Sequence, residues 1–106
     1  MATNMGKYAY IKNLHGGNLA MVEKKVIVHN KTGLHARPAA LFVQKANQFK
    51  SDISIVKGTQ DVNAKSIMGV MSLGASQGSE ISIKAKGEDA RQAVVALAEL
   101  LDSLTD

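Results

Sequence analysis

From residue 21 onward, apolar and polar positions alternate or recur with periods that assign most of the chain to regular elements. VEKKVIV, residues 22 to 28, is rich in β-branched residues and predicts a strand, although its alternation is imperfect. HNKTGLH reads as a turn, in which Gly33 can take a backbone conformation closed to other residues. PAALFVQKANQF, residues 38 to 49, places Ala39, Phe42, Val43, Ala46 and Phe49 at helical spacing, with Gln44, Lys45 and Gln48 opposite. DISIVK alternates again, and KGTQDVNA supplies a turn and a short strand around Val62, so the two predict a hairpin. KSIMGVMSLG suits a short amphipathic helix of one or two turns. In SEISIKAKG, Ile81, Ile83 and Ala85 face one way and Ser82, Lys84 and Lys86 the other. EDARQAVVALAELLDSL gives the clearest helix: Asp89 stands where a cap belongs, Gln92 at the capping-box position, and Ala93, Val94, Leu97, Leu100, Leu101 and Leu104 along the buried side.

The order strand, helix, strand, strand, helix, strand, helix, with half-buried strands, predicts an α+β fold. Its economical form is an open-faced β-sandwich, a four-stranded, mostly antiparallel sheet with three helices on one face. Residues 1 to 20, MATNMGKYAYIKNLHGGNLA, show no sustained period. They are expected to be a flexible N-terminal extension, in which YAYI could add an edge strand, ahead of a single domain over residues 21 to 106.

Composition narrows the function. A chain of 106 residues fits one domain. The absence of cysteine excludes a disulfide, a thiolate nucleophile and any thiolate-ligated metal site, and makes the cytoplasm the expected compartment. No apolar run reaches membrane-spanning length, so no membrane insertion is expected. The net charge is +4, but the basic residues are dispersed. Lys24-Lys25 and Lys84 with Lys86 are the densest groups, without aromatic residues between them to stack on bases. Acidic protein partners fit this distribution better than direct nucleic-acid binding.

The candidate chemistry lies in KTGLHARPAAL, residues 31 to 41. A helix opening near Ala36 to Pro38 places His35 at or next to its N-cap. Amides of the first turn lack intrahelical partners and carry partial positive charge, so such a terminus attracts phosphate. Pro38 fits there because its missing N–H is not needed in the first turn. A neutral imidazole is nucleophilic through one ring nitrogen, and a phosphoryl group on it would meet the helix amides and the Arg37 guanidinium. No second ligand sits at helical spacing from His35, and neither a metal nor a cofactor is expected. His15 and His29 are read as tail and loop residues without a role.

GLHARPAA, residues 33 to 40, resembles the active-site signature of HPr, the histidine-containing phosphocarrier of the bacterial phosphoenolpyruvate:sugar phosphotransferase system. The resemblance runs from about Met21 to the C-terminus, and the element order matches the family's βαββαβα sandwich. It implies that His35 is phosphorylated on Nδ1 by enzyme I. It implies further that Arg37 assists transfer to sugar-specific enzyme IIA domains, and that Thr32 and Ala36 frame the phosphate. Such a protein is a carrier, expected to be monomeric, and not an enzyme with turnover of its own.

NAKSIMGVMSL, residues 63 to 73, resembles the regulatory-serine region of HPr from low-GC Gram-positive bacteria. That implies phosphorylation of Ser66 by an HPr kinase/phosphorylase, docking through Ile67, Met68 and Met71, and a corepressor role with a LacI-type catabolite repressor. On position alone, Ser66 is an N-cap, and the apolar residues beside it could equally be core. A paralogous group keeps this serine, carries glutamine in place of the histidine, and regulates without carrying phosphate. A purely regulatory role through Ser66 is therefore the alternative reading.

Overall fold

The computed structural model describes residues 9–12 and 20–105, with side chains from residue 21. The elements are β1 (Ala9–Lys12), β2 (Ala20–Ile27), α1 (Arg37–Ala46), β3 (Asp52–Lys57), β4 (Gln60–Asn63), α2 (Ile67–Ser72), β5 (Glu80–Gly87) and α3 (Ala90–Ser103). The sheet order is β1-β2-β5-β3-β4. The three helices cover one face, giving the expected open-faced α+β sandwich.

Two details sharpen the expectation. Every pairing among the described strands is antiparallel, where the sequence suggested a mostly antiparallel sheet. A fifth strand, β1, lies outside the expected four and pairs with β2, Tyr10 opposite Val22 and Lys12 opposite Ala20. Its sequence, AYIK, overlaps the YAYI segment, and Tyr10 and Ile11 favour extended backbone. Ala20, the last residue of the expected extension, already belongs to β2, and the remainder, with its expected flexibility, lies outside the described residues.

The register explains the imperfect alternation of β2. Val22 and Val28 are buried on the helix side and Val26 packs partly against them, whereas Ile27 points to the helix-free face and is exposed. On that face, Glu23, Lys84, Ser54 and Asn63 lie side by side across four strands. Lys84 pairs there with Asp61 at 3.1 Å. Solvated pairs of this kind add little to stability, so the fold depends on the other face. There Phe42, Ile55, Ile81, Ile83, Val94 and Leu97 are each at most 1% exposed. Removing a side chain from this group opens a cavity as well as losing burial.

Both long helices place their predicted faces as expected, with corrections at the ends. α1 stops at Ala46, so Phe49 sits in the turn beyond it and is only partly buried. Of the six positions expected to be buried on α3, Ala93, Val94, Leu97 and Leu101 are, while Leu100 and Leu104 are half-covered.

Asp89 is the N-cap residue of α3, yet its side chain does not cap that helix. Its carboxylate accepts hydrogen bonds from the Ser51 hydroxyl at 2.6 Å and from the Ser51 and Lys50 amides at 2.9 Å each. A local cap is thereby replaced by a clamp between the β3 entry and the start of α3. The Ser51 hydroxyl, followed by the Lys50 amide, holds the carboxyl below its ordinary pKa near 3.8, with partial burial opposing. Because the folded-state pKa lies below the unfolded one, this stabilisation is complete above the unfolded value and is lost as pH falls through the folded one. Asp89→Asn is therefore expected to destabilise by about 1 kcal/mol at neutral pH, the carboxylate being partly solvated. It should also lose less stability than the parent below about pH 4 in urea titrations. Equal acid sensitivity of the two proteins would exclude the clamp.

Candidate functional site

His35 ends a loop that is built from its buried neighbours outward. Asn30 is 3% exposed, and its carbonyl accepts from the Gly33 amide at 3.2 Å, closing a turn. The Asn30 side-chain amide donates to the Gly33 carbonyl at 3.0 Å and, at 3.4 Å, to the Thr32 hydroxyl. Gly33 adopts φ +66° and packs against the main chain of Ala75 and Ser76. Leu34 is 1% exposed, and its amide donates to the Ala75 carbonyl at 2.9 Å. After these anchors the chain turns outward, and Thr32, His35, Ala36 and Arg37 are all exposed.

α1 begins at Arg37, with Ala36 as its N-cap and His35 immediately before it. Pro38 is buried in the first turn. The first backbone bond of the helix runs from the Ala40 amide to the Ala36 carbonyl at 3.1 Å. Amides before that bond, those of Ala36, Arg37 and Ala39, belong to the positive end of the helix. An exposed imidazole, an exposed guanidinium and this helix end thus occupy one stretch of surface. A cleft of about 350 Å³ adjoins it, between Arg37, Pro38 and Leu41 on α1 and Leu100, Ser103, Leu104 and Thr105 at the end of α3. A second cavity of about 370 Å³ lies between residues such as Asp52, Lys84 and Lys86. It opens on the helix-free side of the sheet, away from His35.

Ala36 has φ 53° and ψ −120°, the one positive φ outside glycine among the described residues. A Cβ makes that conformation costly, by about 1–3 kcal/mol, and it persists only where the surroundings impose it. Nothing in the sequence marked this strain beyond the small residue between His35 and Arg37. Ala36→Gly is expected to raise stability by about 1 kcal/mol, the strain relief exceeding glycine's greater loss of chain entropy. An unchanged melting temperature would mean that Ala36 carries no strain.

Ser66 is the N-cap of α2, as its position suggested, in extended backbone and accepting from the Gly69 amide at 3.1 Å. Asn47, just past α1, donates its side-chain amide to the Lys65 carbonyl at 3.3 Å. Ser66 therefore lies by the end of α1 while His35 lies at its start. Ten helical residues separate these ends, about 15 Å, so the structure does not bring Ser66 and His35 together. Directly after Ser66, at the start of α2, Met68 is 79% and Ile67 41% exposed, whereas Met71 is partly buried against the core. Only the first two form a free apolar surface.

The chain matches the family model described as "PTS HPr component phosphorylation site" over residues 22–103. It is 58% identical over 78 residues to the HPr-like protein Crh of Bacillus subtilis (strain 168), covering 74% of this chain and 92% of that protein. It is 48% identical over 83 residues to the phosphocarrier protein HPr of Xylella fastidiosa (strain 9a5c), covering 78% of this chain and 93% of the other. Among solved structures, a phosphocarrier protein HPr from Bacillus anthracis str. Ames superposes with a TM-score of 0.74 at 57% identity, covering 76% of this chain and 95% of that one. With the strand order and the three helices already in agreement, this match over most of the chain places it in the HPr family of the phosphotransferase system.

Proposed function

We propose that the chain is a phosphocarrier whose acceptor is His35. The observation that supports this most directly is the exposed imidazole immediately before α1, with Arg37 as the first helical residue. In the proposed step, His35 Nδ1 attacks the phosphorus of phosphorylated enzyme I. A new N–P bond forms as the bond between phosphorus and the donor atom of enzyme I breaks, and the electron pair of that bond returns to the donor. Transfer to an enzyme IIA domain repeats the exchange in the other direction. Arg37 and the helix-opening amides stabilise the phosphoryl oxygens, with Thr32 and Ala36 framing them. The chain supplies no turnover of its own, acts as a monomer, and works in the cytoplasm, where both partners meet it.

Incubation with phosphoenolpyruvate and enzyme I tests the proposal. An acid-labile, alkali-stable phosphoryl group should appear on His35 and be absent from His35→Ala. No label on the parent chain would leave the regulatory reading, in which an HPr kinase/phosphorylase modifies Ser66 and a LacI-type catabolite repressor binds the product. The similarity to Crh, an HPr-like protein, favours that second reading as an addition to carriage. A glutamine at position 35 would have made it the sole function, but the residue is histidine.

At about 15 Å, a phosphate on Ser66 is largely screened from His35 in physiological salt. Its effect on phosphoryl uptake must therefore act through a partner that spans both ends of α1. Ser66→Asp is expected to raise the KM for the chain as acceptor from enzyme I several-fold, by desolvation and charge at the docked surface. The rate at saturation should stay within twofold; a lowered rate with unchanged KM would contradict this.

A further inference from the structure

We propose that Asn30 is a positioning residue for phosphoryl transfer at His35, a role that rests on reading His35 as the acceptor. The main chain and the side-chain NH2 of Asn30 both hold one turn. Its main-chain carbonyl receives the Gly33 amide at 3.2 Å, and its side-chain NH2 donates to the Gly33 carbonyl at 3.0 Å in a buried bond. The weaker 3.4 Å contact to the Thr32 hydroxyl draws the outer residue of the turn onto the same group. Leu34, buried and bonded to the Ala75 carbonyl, extends the fixed segment by one residue. On the far side the chain is fixed again from Arg37, where α1 begins with Pro38 buried.

Only His35 and Ala36 lie between these anchors, and four backbone dihedrals must close a gap whose two ends are set. The strained geometry of Ala36, φ 53° and ψ −120°, is the solution they find. Strain of this kind survives only while its surroundings over-determine it. Without the Asn30 side-chain bonds the turn is closed by its main-chain bond alone and can give way, Ala36 can relax to an ordinary conformation, and the imidazole leaves its place before the helix end. Asn30 therefore sets where the acceptor nitrogen points, although it does not touch the phosphoryl group.

The test combines stability and kinetics on the full chain. In the parent, Ala36→Gly should raise the melting temperature by several degrees. In an Asn30→Ala background the same change should gain less than half as much, because the strain it relieves has already been released. In parallel, Asn30→Ala should lower the saturating rate of phosphoryl uptake from enzyme I about tenfold, since small misplacements of a reacting group slow transfer steeply. KM should change less than twofold, because the exposed surface of α2 is untouched. Asn30→Ser, which shortens the side chain but keeps it polar, replaces the alanine variant in both measurements if that variant does not fold.

Additive gains from the two substitutions, or an unchanged saturating rate, would overturn the proposal. Absence of label on the parent chain would instead refute His35 as the acceptor. The melting-temperature cycle would still report whether Asn30 imposes the strain.

Discussion

Arg37→Ala is expected to fold like the parent and to accept a phosphoryl group on His35 about a hundredfold more slowly. The first half follows from position: Arg37 is exposed, and surface substitutions of this kind usually shift stability by no more than about 0.5 kcal/mol. The second follows from charge. As the phosphoryl group passes to the imidazole its oxygens need donors, and a guanidinium offers two in a fork matched to their spacing. Removing one such donor from an enzyme site slows reaction by about 10²–10³, and exposure to water places this case at the lower end. Arg37→Lys keeps the charge but loses the fork, so partial recovery is expected. Rapid-quench measurement of phosphohistidine formation decides the matter: a parent-like rate for Arg37→Ala would remove Arg37 from the site.

Gly33→Ala should produce the largest loss of stability, about 3 kcal/mol or more, with loss of transfer as a consequence. Two effects add. The φ of +66° disfavours any residue with a Cβ by about 1–2 kcal/mol. The added Cβ would also overlap the Ala75 carbonyl oxygen and come within 2.8 Å of Ser76 Cα, both of them backbone. Backbone cannot swing aside as a side-chain tip can, so the loop must lift from the segment after α2. Lifting breaks the 2.9 Å bond from the Leu34 amide and draws Leu34, 1% exposed, out of the core. A shift of less than 1 kcal/mol in urea unfolding would show that the two loops are not in close contact.

The sequence and the structure agree most closely where burial follows one period over a whole element. Ile81, Ile83 and Ala85 are all buried on one side of β5, a central strand, while Lys84 and Lys86 turn to the other side, where Ser82 alone is also covered. The α3 stripe was legible for the same reason. The misreadings come from long-range partners. Asp89 carries every local sign of a helix cap, yet Ser51 and Lys50, far away in sequence, take its carboxylate. Phe49 continues the helical spacing of α1 after the helix has ended. At the site, His35, Arg37 and Ser66 stood out by residue type and place. The strain at Ala36 was not legible, because it is imposed by anchors on either side. Asn30 could have been noticed, since asparagine opening a turn that glycine closes three residues later is a common turn preference.

The arrangement of strand lengths bears on how the chain behaves in a crowded solution. Of the described strands, the two with eight residues each, β2 and β5, lie inside the sheet, while its borders are formed by β1 and β4, four residues apiece. A border that short offers an unfolded or aggregating neighbour few backbone groups to zip onto. The part of β2 reaching past β1 begins with Lys24 and Lys25, whose charges disfavour stacking of like chains. Few unpaired backbone groups are thus left along the described perimeter of the sheet, and charge guards the longest stretch of them.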